Sequence, residues 1–179
     1  TLLHVSDRPM LHTDLFSGGL SYIKLAFDLS GLDDDLYDYV PIYAEALEKM
    51  GAGDLDFSVM AEREAAFTGG IHAGVGASGH AKDPLRVRPF FTVSMKALDD
   101  RLLQALPVLR ERIVDCNLSD TKRLREILLQ SRVHMRAGLV PHGNRYAALY
   151  AAHTLSRNAS LAERFEGITQ LRTLERVIK

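Results

Sequence analysis

Residues Leu20 to Leu29 alternate without interruption, with Ile23, Leu25, Phe27 and Leu29 on one face and Tyr22, Lys24, Ala26 and Asp28 on the other. A period of two marks a half-buried strand, and such strands belong to antiparallel sheets with one covered face and one open face. A chain with this strand must supply apolar cover for the first face. The next segment does so: Leu36, Val40, Tyr43, Leu47 and Met50 recur every three or four residues, as on an amphipathic helix. Asp33, Asp34 and Asp35 open that helix at the positive end of its dipole, Pro41 kinks or divides it, and Gly51 and Gly53 stop it.

The rest of the chain fits the same plan. Ser17-Gly18-Gly19 is a turn signal, so Leu11 to Phe16 is the expected hairpin arm ahead of the alternating strand. A short helix is expected from Phe57 to Phe67. A second strand runs from Ile71 to His80, with Ile71, Ala73, Val75 and Ala77 on one side and His72, Gly74, Gly76, Ser78 and His80 on the other. Lys82-Asp83-Pro84 reads as a turn into a third strand, Val87 to Lys96, with Phe91, Val93 and Met95 inward. Everything beyond is helical. Leu98, Leu102, Leu106, Leu109 and Ile113 form one stripe; Ser119 is the expected N-cap of the next helix, which carries Leu124, Ile127 and Leu128. Gly138 and Pro141 interrupt it, and a further helix covers Gly143 to Ser156. The expected fold is α+β, a largely antiparallel sheet with helices on one face and a helical C-terminal extension. It is read as one domain over residues 1–179, strand-rich over 1–96 and helical over 97–179.

With 179 residues, 46% apolar and 25% charged, the composition is that of an ordinary soluble globular domain. No apolar run approaches the roughly 18 to 20 residues that span a bilayer, so no membrane span is expected. The chain starts at Thr1 without an initiator Met, and the expectation is a piece of a longer protein. Its single Cys116 excludes an internal disulfide and fits a reducing compartment, cytoplasm or organelle matrix. Cys116 ends an apolar helix with no His near it, which suits a packed thiol better than a nucleophile. The net charge of −1 conceals an asymmetry: residues 1–100 carry 16 acidic and 8 basic side chains, residues 101–179 carry 7 and 14. Neither half has a run of five like charges, so mutual attraction of the halves is the expected use.

Seven histidines raise the question of a metal. No His has a Glu within four residues, which excludes His-Glu-x-x-His and His-x-x-Glu-His helices. His72 and His80 share a strand face but stand roughly 26 Å apart at ~3.3 Å per residue, too far for bonds of ~2 Å to one zinc. His134 and His142 would be about 12 Å apart along a helix. No phosphate-binding Gly-x-x-x-x-Gly-Lys-Ser/Thr loop and no Gly-x-Ser-x-Gly elbow occurs. Gly74, Gly76 and Gly79 match a dinucleotide fingerprint in spacing only, because they lead to a Pro turn and not to a helix. Lys122, Arg123, Arg125, Arg132 and Arg136 make one helix basic, but without interleaved aromatics they point to a solvated face before nucleic acid. Residue spacing therefore assigns no catalytic, cofactor-binding or metal residue to this chain.

The order of its segments resembles a known family. Phe27-Asp28-Leu29-Ser30-Gly31-Leu32, Tyr39-Val40-Pro41-Ile42 and Ala46-Leu47-Glu48-Lys49-Met50-Gly51 are similar to the start of the third domain of presequence-protease-like peptidases, the C branch of the pitrilysin and insulin-degrading-enzyme family. Thr68-Gly69-Gly70-Ile71, Ser94-Met95-Lys96-Ala97-Leu98, His142-Gly143-Asn144-Arg145-Tyr146-Ala147-Ala148 and Glu166-Gly167-Ile168-Thr169-Gln170-Leu171 continue the likeness in order. The chain departs from it where the family has Thr-Asn-Gly-Ile-x-Tyr and this sequence has Ser17-Gly18-Gly19-Leu20-Ser21-Tyr22, and in placing Gly143 after His142.

The resemblance implies four related domains closing around a chamber, with zinc and its His-x-x-Glu-His helix in the first. This chain would be non-catalytic wall, in contact with the other domains and with peptide substrates. A non-catalytic interaction subunit of the same superfamily and a basic-helix binding module are the alternatives. On the wall reading the face bearing Tyr22, His72, Gly74 and Gly76 looks into the chamber, because helices cover the other face and glycines remove bulk where an extended peptide would pass.

Overall fold

The computed structural model describes residues 1–80 and 82–179. Its strands are β1 (Leu2–Val5), β2 (Arg8–Leu11), β3 (Leu20–Asp28), β4 (Ile71–His80) and β5 (Asp83–Leu98). Its helices are α1 (Val40–Lys49), α2 (Phe57–Phe67), α3 (Leu102–Val114), α4 (Thr121–Leu139), α5 (Gly143–Ala152), α6 (Arg157–Glu166) and α7 (Ile168–Val177), with a 3-10 turn at Asp34–Tyr39. The fold is α+β, as the sequence leads one to expect.

The main sheet has the order β3-β5-β4. Both outer strands are antiparallel to β5, from Leu20↔Leu98 to Asp28↔Phe90 on one side and from Ile71↔Met95 on the other. β3 and β4 are therefore parallel to each other, and β5, which comes after both, fills the gap between them. β1 and β2 form a separate, fully exposed hairpin turned through Ser6 and Asp7.

One face of the sheet is covered. Val40, Ala44 and Leu47 of α1, Met60 of α2 and Ala105, Val108 and Leu109 of α3 pack on Ile71, Phe91, Val93, Met95 and Ala97. α4 packs behind α1 through Ile127 against Ala46 and Met50, and α7 meets α4 through Leu174 and Ile178 against Leu128. α6 returns to the sheet, where Leu161 and Phe165 join Tyr37, with Val75, Ala77 and Val87 alongside. The acidic first half and basic second half meet in specific pairs: Arg164 holds Asp34 and Asp38, and Arg112 holds Glu64.

Several expectations fail for identifiable reasons. Leu11 to Phe16 is not a hairpin arm of β3. Leu11 ends β2, the polar His12, Thr13 and Asp14 break alternation, and β5 pairs β3 along its whole length. Gly18 and Gly19 turn there with φ of 66° and 82°, and the Gly19 carbonyl accepts from Asp99 N. The expected turn at Lys82-Asp83-Pro84 is shorter, because Asp83 already begins β5, which also runs on to Leu98. Tyr37, not Leu36, enters the core; a 3-10 turn has three residues per turn, so the phase of the apolar stripe slips there. Pro41 does divide the segment, standing in the first turn of α1, where its missing N–H costs nothing.

On α3 the buried set is Ala105, Val108, Leu109 and Arg112, with Leu106 exposed and Leu98 left in β5. Asp120, not Ser119, caps α4, accepting from Arg123 N at 3.0 Å. The helix expected to reach Ser156 stops at Ala152, and Ser156 caps α6 by accepting from Ala159 N at 3.1 Å.

The largest departure concerns β3. Ile23, Leu25 and Phe27 do face the helical side, yet Leu25 is 38% and Phe27 40% exposed. α1 lies over β4 and the centre of the sheet, so only Ile23 among the three packs into the main core. Tyr43 reaches Phe91 (ring centroids 5.5 Å apart), and Phe27 touches the same ring from the other side at 6.1 Å.

Candidate functional site

The register of the three strands assembles the open face. Tyr22 pairs with Lys96, Lys24 with Ser94, His72 with Ser94, Gly74 with Thr92 and Gly76 with Phe90. Alternation then places Tyr22, His72, Gly74 and Gly76 together on the side away from the helices, because Phe91, Val93 and Met95 are buried on the other. Tyr22 is 70% exposed, and the His72 side chain is similarly open. Tyr22, Lys24, Gly70, His72, Ser94 and Lys96 line a depression of about 330 Å³ on this face.

The two glycines are not equivalent. A Cβ on Gly74 would meet only Thr92 Oγ1, at 3.5 Å, an ordinary contact. A Cβ on Gly76 would stand 2.9 Å from the Phe90 ring, which already lies over that position. The Lys96 stem crosses Gly69 in the same way, and Gly70 adopts φ 114°, a conformation that side chains resist. The charges on this face are mostly positive: Lys24, Arg88 and Lys96 against Asp28. Hydrogen bonds from Ser30 hold the Asp28 carboxyl below its usual range, with a smaller contribution from Arg88.

The outer edge of β4 is closed by residues the sequence reading did not single out. Glu64 Oε1 accepts from Ile71 N at 3.0 Å, and Glu48 Oε1 accepts from Ala73 N at 2.6 Å. Arg112, nearly fully buried, donates to Glu64 Oε2 at 2.9 Å and to the Met50 carbonyl at 2.5 Å. The signal for this network was Arg112 itself, a charge between Leu109 and Ile113 on an apolar helix face, which demands a buried partner.

Among the described residues, no group of three His, Cys, Asp or Glu side chains converges to hold a metal ion, so the residues present do not fit a zinc site. Cys116 is half-buried beside Ala46, Met50 and Ile127; burial pushes its thiol pKa up, opposed by Arg112. The basic helix α4 spends its charge internally. Arg123 sits 3.8 Å over the Phe57 ring and reaches Glu126, Arg125 donates to the Ile178 carbonyl, and Arg136 binds Glu175. No helix of the described residues is long and apolar enough to cross a membrane.

Fold and face together define a two-layer α+β domain whose sheet is covered on one side and open on the other. The family of domains described as associated with C-branch peptidases of the sixteenth metallopeptidase family matches residues 2–177, and the chain belongs to that family of peptidase-associated domains. It is 25% identical over 169 residues to the mitochondrial presequence protease of Danio rerio, 27% over 177 residues to presequence protease 1 (chloroplastic/mitochondrial) of Arabidopsis thaliana, and 24% over 158 residues to Protein HypA of Clostridium perfringens. These alignments cover 94%, 98% and 88% of the chain. In each case the chain spans only 16% of the relative's length.

Proposed function

We propose that this chain is a non-catalytic wall domain of a larger zinc metalloendopeptidase that degrades small unstructured peptides, and that the face of Tyr22, His72, Gly74 and Gly76 lines the chamber. Family membership supports the peptidase setting, and the named presequence proteases support peptides as substrates. The observation that carries the wall reading is the open sheet face. It offers an exposed aromatic, unpaired lysines and a side-chain-free position at Gly74 instead of a second apolar layer. Zinc, which activates water for amide hydrolysis in such enzymes, belongs on this reading to other domains of the parent. The partners are those domains and the peptide substrate, with neither nucleic acid nor membrane. The compartment is an organelle matrix or the cytoplasm, in keeping with relatives named as mitochondrial or chloroplastic.

Gly74 gives the cleaner test, since bulk at Gly76 would first displace Phe90. In the full-length parent, Gly74→Val should raise KM for longer peptides several-fold while the melting temperature stays nearly constant, because Val suits a strand and meets only Thr92. A large loss of stability with unchanged kinetics would remove the chamber assignment.

A further inference from the structure

The two edges of the main sheet are finished differently. On β4 the outward amides of Ile71 and Ala73 are taken by Glu64 and Glu48, and α6 packs farther along the strand. β3 has nothing comparable. Leu29 N donates to the Pro89 carbonyl and Asp99 N to the Gly19 carbonyl, both at 3.0 Å, so the odd-numbered residues of this strand bond to β5. In an antiparallel ladder the even-numbered ones then point outward. The N–H and C=O groups of Tyr22, Lys24 and Ala26 have no protein partner among the described residues. The register from Leu20 to Asp28 is unbroken, with no bulge and no proline. Long, regular edges of this kind pair readily with another strand, and free-standing proteins blunt them.

The side chains on either side of that edge define what fits. On the helical side Leu25 and Phe27 are exposed, and the apolar surface continues onto α1 through Tyr43, 36% exposed. On the open side Lys24 and Lys96 make no salt bridge among the described residues. We infer that the free edge of β3 is the docking site for a β-strand from the remainder of the parent polypeptide, apolar on its helix-side positions and acidic on the alternate ones. The apolar surface reaches past the strand edge onto a helix, so it calls for a strand with its own backing layer, more than a single extended peptide supplies. The relatives, of which this chain spans 16%, have ample sequence to supply one. The inference rests on the chain being part of a larger peptidase, and on nothing about which way the open face looks.

Residue-resolved amide hydrogen exchange on the full-length parent, without added peptide, tests it. The amides of Tyr22, Lys24 and Ala26 should exchange at least ~100-fold more slowly than free peptide amides, approaching those of Ile23 and Leu25 that face β5. That protection should not vary with protein concentration, and Lys24→Glu should reduce it at least ~10-fold by repelling the acidic positions. Unprotected amides at these three positions beside protected Ile23 and Leu25 would overturn the inference. So would protection that appears only with a peptide substrate, which makes the edge a substrate site, or protection that grows with concentration, which makes the occupant a second copy. A natural protein of only about 20 kDa, the mass of this chain, would overturn the larger-peptidase reading as well.

Discussion

Arg164 Nε donates to the Asp38 carboxylate at 2.5 Å, joining residues 126 positions apart in the chain. The same guanidinium reaches Asp34 at 2.8 Å and lies 5.6 Å over the Tyr37 ring. Burial alone would lower the pKa of Arg164, but the two carboxylates outweigh it and raise it, so this charge is fixed at any working pH. Through this contact the C-terminal helices clamp the 3-10 turn that leads into α1.

Arg164→Met should therefore cost about 2 kcal/mol, the scale of lost hydrogen bonds between charged groups plus two carboxylates left facing one another. Urea unfolding followed by circular dichroism measures this. A loss below a few tenths of a kcal/mol would mean the clamp is cosmetic.

The core and the edge of the sheet should respond differently to truncation. Leu47 is fully buried, and Leu47→Ala should cost about 3 kcal/mol. Phe27, 40% exposed, should cost about 1.5 kcal/mol or less when changed to Ala in this chain. Equal losses at the two positions would show that Phe27 is covered in solution.

How much was legible follows from which interactions are local. β3, α2, β4 and the β4–β5 hairpin could be read because alternation and turn residues act over a few positions. The four residues Tyr22, His72, Gly74 and Gly76 share a face because alternation assigns each to one side of its own strand and β5 aligns the two strands. The exposure of Leu25 and Phe27 was not legible, since it depends on α1 lying over β4, a choice made by tertiary packing. Tyr37 and Leu36 exchanged roles because the 3-10 turn changed the period, and a stripe drawn at 3.6 residues per turn cannot show that. Glu48 and Glu64 were invisible as edge caps because their partners are backbone amides, which carry no sequence signature.

Acid should loosen the start of α2. Asp56 accepts from Val59 N at 2.9 Å and from the Ser58 hydroxyl and amide, each at 2.8 Å, which holds its carboxyl below 3.8. With the folded pKa depressed, its contribution is complete above 3.8 and is lost as pH falls through the folded value. Asn is nearly as good an N-cap and does not titrate, so Asp56→Asn should flatten the stability profile below about pH 4 and change little at neutral pH. Urea midpoints across that range decide it; parallel profiles would exclude Asp56 as a titrating contributor.

Cys116 should be a slow thiol. Its pKa is raised by burial and its sulfur packs beside Met50 and Ile127, so little thiolate is present at neutral pH. Reaction with a disulfide reagent at neutral pH should be at least ~10-fold slower than for a free cysteine and should recover its rate in denaturant. A rate equal to that of free cysteine would show that α3 and α4 open readily around it.

β5 sits between two strands that are both made before it. As the chain leaves the ribosome, β3 emerges with no strand to join, and its first possible partner, Phe90 opposite Asp28, arrives only after both crossover helices. β4 and β5 adjoin in sequence and can zip together at once, after which β3 must be recaptured across a long loop. Loop-closure entropy rises slowly with length, so this order costs folding time more than final stability. Until that capture, the stretch from Leu20 to Asp28 is the part of the nascent domain most in need of protection from other chains.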